Sequence, residues 1–88
     1  MKPLYATTKA RVYGTPNAWR FADQARDGEL FQDCKVRLEI QGDDEGHCFF
    51  LIVSPEGFFT SDRWHETLQA AQERARMLLG VTRADWSE

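Results

Sequence analysis

Two strand-like segments joined by a polar, glycine-bounded turn constrain the fold of this 88-residue chain more than any other feature. Residues 35–41 alternate between apolar and polar side chains, which is the period of a strand with one face buried. Residues 47–54 are largely apolar on both faces, as strands in the centre of a sheet are. Residues 42–46 place three acids between two glycines and predict a turn. Together these segments predict an antiparallel hairpin.

The alternation also predicts how the two strands pair. When Gln41 is placed opposite His47, Ile40 lies opposite Cys48, and the apolar positions of the first strand match an alternating apolar set in the second. This register separates Cys34 from Cys48 by about 20 Å along the strands, whereas a disulfide needs Cα atoms within about 7 Å. We therefore expect both thiols to be reduced.

The C-terminal third has the pattern of an amphipathic helix. Its apolar residues recur at spacings of four and three, which place them on one helical face. These residues are Trp64, Leu68, Ala71, Ala75 and Leu78. Thr67 suits the N-cap, and Gly80 suits the left-handed position after the last turn. We predict a helix over about residues 66–79, packed on one face of the sheet.

The segments on either side of the hairpin are less determined. Residues 54–57 suit a tight turn that returns the chain through a third strand at residues 58–61. Residues 4–13 could add a further strand. Residues 16–27 fit either a short helix, which we prefer, or a hairpin arm that turns at Asp27-Gly28. The predicted fold class is α+β: an antiparallel sheet of three to four strands with a long C-terminal helix packed on one face and a short N-terminal helix.

Length and composition set the class of protein. The length predicts a single domain over residues 1–88. Hydrophobic residues make up 42% of the chain, which argues against disorder throughout. No apolar run approaches the ~20 residues of a membrane span. Residues 1–9 lack the apolar core of a signal peptide, so we expect a cytoplasmic protein.

Each motif that resembles a catalytic or metal site lacks a required residue. The segment His65-Glu66-Thr67-Leu68-Gln69 has a glutamine where the zinc-protease pattern needs its second histidine. The acids of Asp43-Asp44-Glu45-Gly46 are consecutive, whereas a calcium loop alternates them. His47 and Cys48 are neighbours on a strand and point to opposite faces, so they cannot form a nucleophile–base pair. We therefore expect no enzymatic activity, no metal and no cofactor.

Charge is distributed unevenly along the chain. Residues 1–28 contain five basic and two acidic side chains, whereas residues 29–88 contain six basic and twelve acidic ones. The five basic residues are Lys2, Lys9, Arg11, Arg20 and Arg26. Nucleic-acid binding through them is the alternative function. It is disfavoured because the residues are scattered singly and the net charge is −3.

The predicted register leaves large apolar side chains on the sheet face away from the C-terminal helix. These side chains are Phe49, Leu51, Val53 and Phe58. Either residues 1–30 cover this face, or it is a contact surface, since large exposed apolar patches usually mark one. We therefore expect a small non-catalytic accessory protein that acts by protein–protein contact, with an unidentified protein or a second copy as its partner.

Residues 47–86 resemble a pattern found in small uncharacterised bacterial proteins. The pattern is a strand, a glycine turn, an aromatic segment, an alanine-rich helix, Gly80-Val81 and a late Trp86. The helix with its preceding strand is also similar to HicB-like antitoxin domains. Those domains begin the helix with Gly-Asp-Thr, where this chain has His65-Glu66-Thr67. The resemblance implies a small α+β fold and a bacterial accessory role, and it transfers no catalytic residue.

Overall fold

The chain folds into a curled, half-barrel sheet of five antiparallel strands with a short α-helix, in the computed structural model that describes residues 2–43 and 45–88. The strands are β1 (Leu4–Thr15), β2 (Ala18–Arg20), β3 (Phe31–Gly42), β4 (Phe49–Pro55) and β5 (Ser61–His65), and the helix is α1 (Leu68–Leu79). The order across the sheet is β2-β1-β3-β4-β5, so β3 lies in the centre. Short 3-10 helices at Ala22–Gln24 and Arg83–Asp85 follow β2 and α1.

This architecture corrects the predicted fold class. The prediction of three to four strands under a long helix is wrong, because the sheet has five strands and α1 has only 12 residues. The N-terminal third supplies the difference, since β1 forms ten residue pairs with β3 and also carries β2 on its other side. The fold is therefore mostly sheet.

Neither alternative for residues 16–27 is correct. Pro16 and Asn17 form the tight turn between β1 and β2, although threonine followed by proline is also typical of a helix start. The rest of the segment contains β2, the short 3-10 helix and a connection to β3. Residues 2–30 consequently extend the sheet at its edge, and Trp19 and Phe21 pack against the core on the helix side and not on the face away from the helix.

The predicted register between β3 and β4 is wrong by three residues. Gln41 lies opposite Phe50 and not His47, and Ile40 lies opposite Leu51. The connection is longer than expected because the Asp43 carboxylate accepts hydrogen bonds from the backbone N–H groups of His47 and Cys48, at 2.7 and 3.3 Å. An odd shift reverses which side chains of β4 face the helix.

The core lies between α1 and one face of the sheet, which we call the inner face. Its buried sheet side chains come from alternate positions of three strands: Ala6, Val12, Val36, Leu38, Ile40, Phe49, Leu51 and Val53. The helix contributes Ala71 and Ala75, both fully buried. Because these side chains are small, the helix axis can lie close to the sheet. The side chains of the opposite face, which we call the outer face, are exposed or only partly buried among the described residues.

The caps predicted for the helix are confirmed. The Thr67 hydroxyl oxygen accepts a hydrogen bond from the Ala70 N–H at 3.0 Å, and Gly80 adopts the left-handed conformation at φ 70°. The helix begins at Leu68, two residues later than predicted, because Thr67 occupies the extended N-cap position. In the described part of the chain, no helix has the length and apolarity needed to cross a bilayer.

Thr67→Ala should lower the free energy of unfolding by about 1 kcal/mol, because the Ala70 N–H then loses its acceptor. Urea denaturation followed by circular dichroism measures this change. Thr67→Ser keeps the hydroxyl and should retain most of the stability. Equal losses in the two variants would show that the hydroxyl does not cap α1.

The third strand of the predicted hairpins starts later than expected. β5 begins at Ser61, and the preceding turn is closed by a hydrogen bond from the Phe58 N–H to the Pro55 carbonyl at 3.1 Å. Pro55 remains part of β4, opposite Val36. Phe58 and Phe59 therefore lie in the connection between β4 and β5.

Among the described residues, the edge of β1 opposite β3 is paired only at its two ends. Tyr5 and Ser87 exchange two backbone hydrogen bonds of 2.7 and 2.9 Å, and β2 pairs with residues 13–15. By strand alternation, the backbone groups of Thr7, Lys9 and Arg11 face outwards between these ends. The C-terminal segment that pairs with Tyr5 follows a short 3-10 helix, which begins with a capping box between Thr82 and Asp85.

Candidate functional site

The side chains predicted to form a contact surface lie elsewhere. Phe49, Leu51 and Val53 are only 8%, 2% and 6% exposed and belong to the core under α1. Phe58 is half-buried and packs against the same core. The prediction that they lie on the face away from the helix is wrong, because it depended on the incorrect register.

The outer face carries a different set of large side chains, which the sequence analysis missed. They are Tyr5, Tyr13, Phe31, Phe50, Ile52 and Trp64. Four of them remain between 41% and 52% exposed: Tyr5, Phe31, Phe50 and Trp64. They were missed because β4 is apolar at every position from Phe49 to Val53, so periodicity alone could not assign its two faces.

One end of the outer face is apolar and acidic, and we call it the acidic end. Phe50 lies opposite Trp64 across the β4–β5 pair. The neighbouring outer-face residues pair across four strands, from Asp62 on β5 through Ile52 and Glu39 to Tyr5 on β1. This end therefore combines exposed aromatic rings with two carboxylates.

The other end of the outer face is basic and aromatic, and we call it the basic end. The guanidinium of Arg11 lies 3.8 Å from the centroid of the Phe31 ring, and Tyr13 packs against the same ring at 5.6 Å. Lys9 and Lys35 lie directly opposite each other on β1 and β3. Arg11 also donates to Asp33 at 3.1 Å, and this hydrogen bond raises the pKa of Arg11, so its charge is constant at physiological pH.

The structure brings together three of the five basic residues predicted for nucleic acid. Lys9 and Arg11 lie on the basic end, and Arg20 lies opposite Tyr13 beside it, in an ion pair with Glu29. Lys2 lies at the opposite end of β1, with its amine 3.9 Å from Glu88, and Arg26 lies in the connection before β3. Lys35 and Arg37 were not predicted to join them, because charge summed along the chain does not show which residues meet across paired strands.

The cysteine and histidine positions show no nucleophile–base pair among the described residues. Cys34 lies opposite Ala10 on the inner face, where burial raises the pKa of its thiol and disfavours the thiolate. Cys48 lies at the end of the β3–β4 connection, and both cysteines are free. The segment from His65 to Gln69 spans the end of β5 and the start of α1, so its side chains do not share one helical face.

The acidic turn is only partly described, since Asp44 lies outside the described residues. Asp43 caps backbone amides of its own turn. Within residues 2–43 and 45–88, no three His, Cys, Asp or Glu side chains gather as metal ligands do.

Comparisons of the chain with known protein families, with characterised proteins and with solved structures find no match. The similarity of residues 47–86 to HicB-like antitoxin domains therefore stays a prediction.

Proposed function

We propose that this is a small, non-catalytic cytoplasmic protein that acts by protein–protein contact through its outer face, and that its partner is a second copy. The observation that carries this proposal is the pair of half-exposed aromatic rings, Phe50 and Trp64, side by side on the acidic end. Exposed aromatic clusters of this kind are typical of the centres of protein interfaces.

The distribution of charge on the outer face favours a second copy as the partner. Glu39 and Asp62 lie at one end, whereas Lys9, Lys35 and Arg11 lie at the other. A two-fold axis that lies in the plane of the interface and runs across the strands would place the acidic end of each copy over the basic end of the other. Closed two-fold dimers are the commonest assemblies of soluble proteins, and faces of twisted sheets pack on one another in many folds.

Sedimentation equilibrium of the wild-type chain should show a dimer at micromolar concentrations. Trp64→Glu should raise the dissociation constant at least about tenfold, because it removes an aromatic anchor and adds a third carboxylate to the acidic end. Met77→Glu is the matched control, since Met77 is 70% exposed on α1, far from the outer face. A wild-type monomer throughout, or equal effects of the two variants, would contradict the proposal.

A charge exchange tests the two-fold arrangement itself. Lys35→Glu alone should weaken the dimer by roughly fivefold, because it introduces repulsion across the interface. Adding Asp62→Lys to the same chain should restore most of the affinity. Failure of the second change to restore binding would exclude contact between the two ends.

The basic end favours a second candidate function, the binding of single-stranded nucleic acid. Such proteins combine cations that follow the phosphates with aromatic rings on which bases stack. Phe31, with Arg11 over its ring and two lysines nearby, has this composition. Nucleic-acid binding was disfavoured from the sequence because the basic residues are scattered singly along the chain, whereas the pairing of β1 with β3 brings Lys9, Arg11 and Lys35 together.

Fluorescence anisotropy with a labelled single-stranded oligonucleotide separates the two functions. If nucleic acid binds, the double variant Lys9→Glu/Lys35→Glu should lower the affinity at least about tenfold, and the wild-type affinity should fall steeply with salt. Trp64→Glu should leave this affinity unchanged. Anisotropy that does not change at low salt would reject the second candidate.

A further inference from the structure

A cleft of about 440 Å³ lies at one end of the sheet and reaches the inner-face residues Leu51 and Val53. It lies between β2 with its following 3-10 helix on one side and β5 with α1 on the other. This volume is within the range of small-molecule sites, which are about 300–1,000 Å³. The curl of the half-barrel creates the cleft because it brings the β1–β2 hairpin towards the β4–β5 connection.

The apolar walls of the cleft are held in place by hydrogen bonds across this gap. The Trp19 indole N–H donates to the Phe59 carbonyl at 2.7 Å, and the Phe59 N–H donates to the Pro16 carbonyl at 3.0 Å. The Trp19 ring also packs edge-on against Phe21, with centroids 5.3 Å apart. Leu51 and Val53 line the floor. The walls are therefore largely preformed.

Two arginines whose guanidinium groups have no ion-pair partner line this cleft. Arg63 comes from β5 and Arg74 from α1, and both line it. Among the described residues, neither side chain has an acidic partner within salt-bridge distance. Arg20, which also lines the cleft, differs because Glu29 neutralises it. The two charges are thus available to a ligand.

The Arg74 side chain is only partly exposed, and its Nε atom is buried without a hydrogen-bond partner among the described residues. The protein itself covers this atom, so a ligand would contact the terminal nitrogens of the guanidinium. The lining carboxylates do not neutralise the two arginines. Asp62 alternates with Arg63 along β5 and so projects to the outer face, and Asp23 is exposed in the 3-10 helix.

We infer that the cleft binds an organic anion with a flat apolar body and a carboxylate. The carboxylate would lie between Arg63 and Arg74, because the planar guanidinium matches carboxylate geometry and forms paired, charge-assisted hydrogen bonds. The apolar body would lie against Trp19 and the floor of the cleft. Arg63, Arg74 and Trp19, which carry this inference, do not belong to the outer face, so it does not depend on the proposed dimer.

Titration with 2-naphthoate, followed by ¹H–¹⁵N NMR, tests the inference. Saturable shifts should appear at the Trp19 indole N–H and at the amides around Arg63 and Arg74. The neutral isostere 2-naphthamide should bind at least about tenfold more weakly, because it lacks the charge. Absence of saturable shifts at millimolar naphthoate, or equal affinities for acid and amide, would overturn the inference.

Matched variants locate the carboxylate. Arg63→Gln and Arg74→Gln should each lower the affinity for 2-naphthoate about tenfold, whereas Arg74→Lys should lose less because it keeps the charge. Arg76→Gln is the control on the same helix, since Arg76 pairs with Glu73 at the surface. Retention of the dispersed NMR spectrum establishes that each variant is folded. Unchanged affinity in both glutamine variants would exclude the site.

Discussion

Leu51→Ala is expected to lower the free energy of unfolding by about 2–5 kcal/mol, whereas Ile52→Ala costs about 1 kcal/mol or less. Leu51 is 2% exposed and lies on the inner face between Ile40 and Arg63 of the neighbouring strands. Its truncation removes buried apolar surface and leaves a cavity under α1. Ile52 points to the outer face and is only partly buried, so its truncation leaves no cavity in the core.

Urea denaturation of the two variants, fitted with a common slope, measures the difference. The pair also tests the register of β3 and β4, because the register predicted from the sequence places Ile52 on the face under the helix and Leu51 on the open one. A larger loss for Ile52→Ala than for Leu51→Ala would contradict the observed pairing and, with it, the composition of the outer face.

Gly14→Ala is expected to cost about 3 kcal/mol or more. Gly14 has a φ of 101°, a conformation that costs other residues roughly 1–2 kcal/mol. An added Cβ would also lie 2.3 Å from the Ala18 carbonyl oxygen, so the backbone of β2 would have to move away from β1. Since β2 carries Trp19, this variant should also weaken the binding of 2-naphthoate to the cleft.

Gly57→Ala separates the two contributions at Gly14. Gly57 has a similar φ of 88°, but no described atom lies within 4 Å of the methyl group that alanine would add. Thermal unfolding of Gly57→Ala should therefore report the cost of conformation alone, about 1 kcal/mol. Equal losses at the two glycines would show that β2 accommodates the methyl group without strain.

The local elements with strong periodic or capping signals could be predicted from the sequence. The hairpin of β3 and β4 and the caps of α1 were predicted because alternation, Thr67 and Gly80 are local signals. The N-terminal strands were harder, since Pro16 is equally typical of a turn and of the first turn of a helix. The turn is favoured over the helix only because β1 pairs with β3 over ten residues, and no local signal shows this pairing.

The candidate surfaces could not be predicted, because both depend on which residues meet across strands. The outer face follows from the register of β4, and that register is set by hydrogen bonds of Asp43 that no periodicity reveals. The cleft joins Trp19, Arg63 and Arg74, which are distant in sequence. A signal for the outer face was present in the alternation of Lys9 and Arg11 with small residues, once β1 is treated as a strand.

The incomplete pairing along β1 has a consequence for fibril formation. An added strand would find only residues 7–11 before it met Ser87 on one side or β2 on the other, and these residues carry Lys9 and Arg11. The opposite edge, β5, has five residues and includes Asp62 and Arg63. Short, charged edges resist the edge-to-edge growth that leads to amyloid. The half-barrel can thus leave its sheet unclosed and still remain dispersed at high concentration.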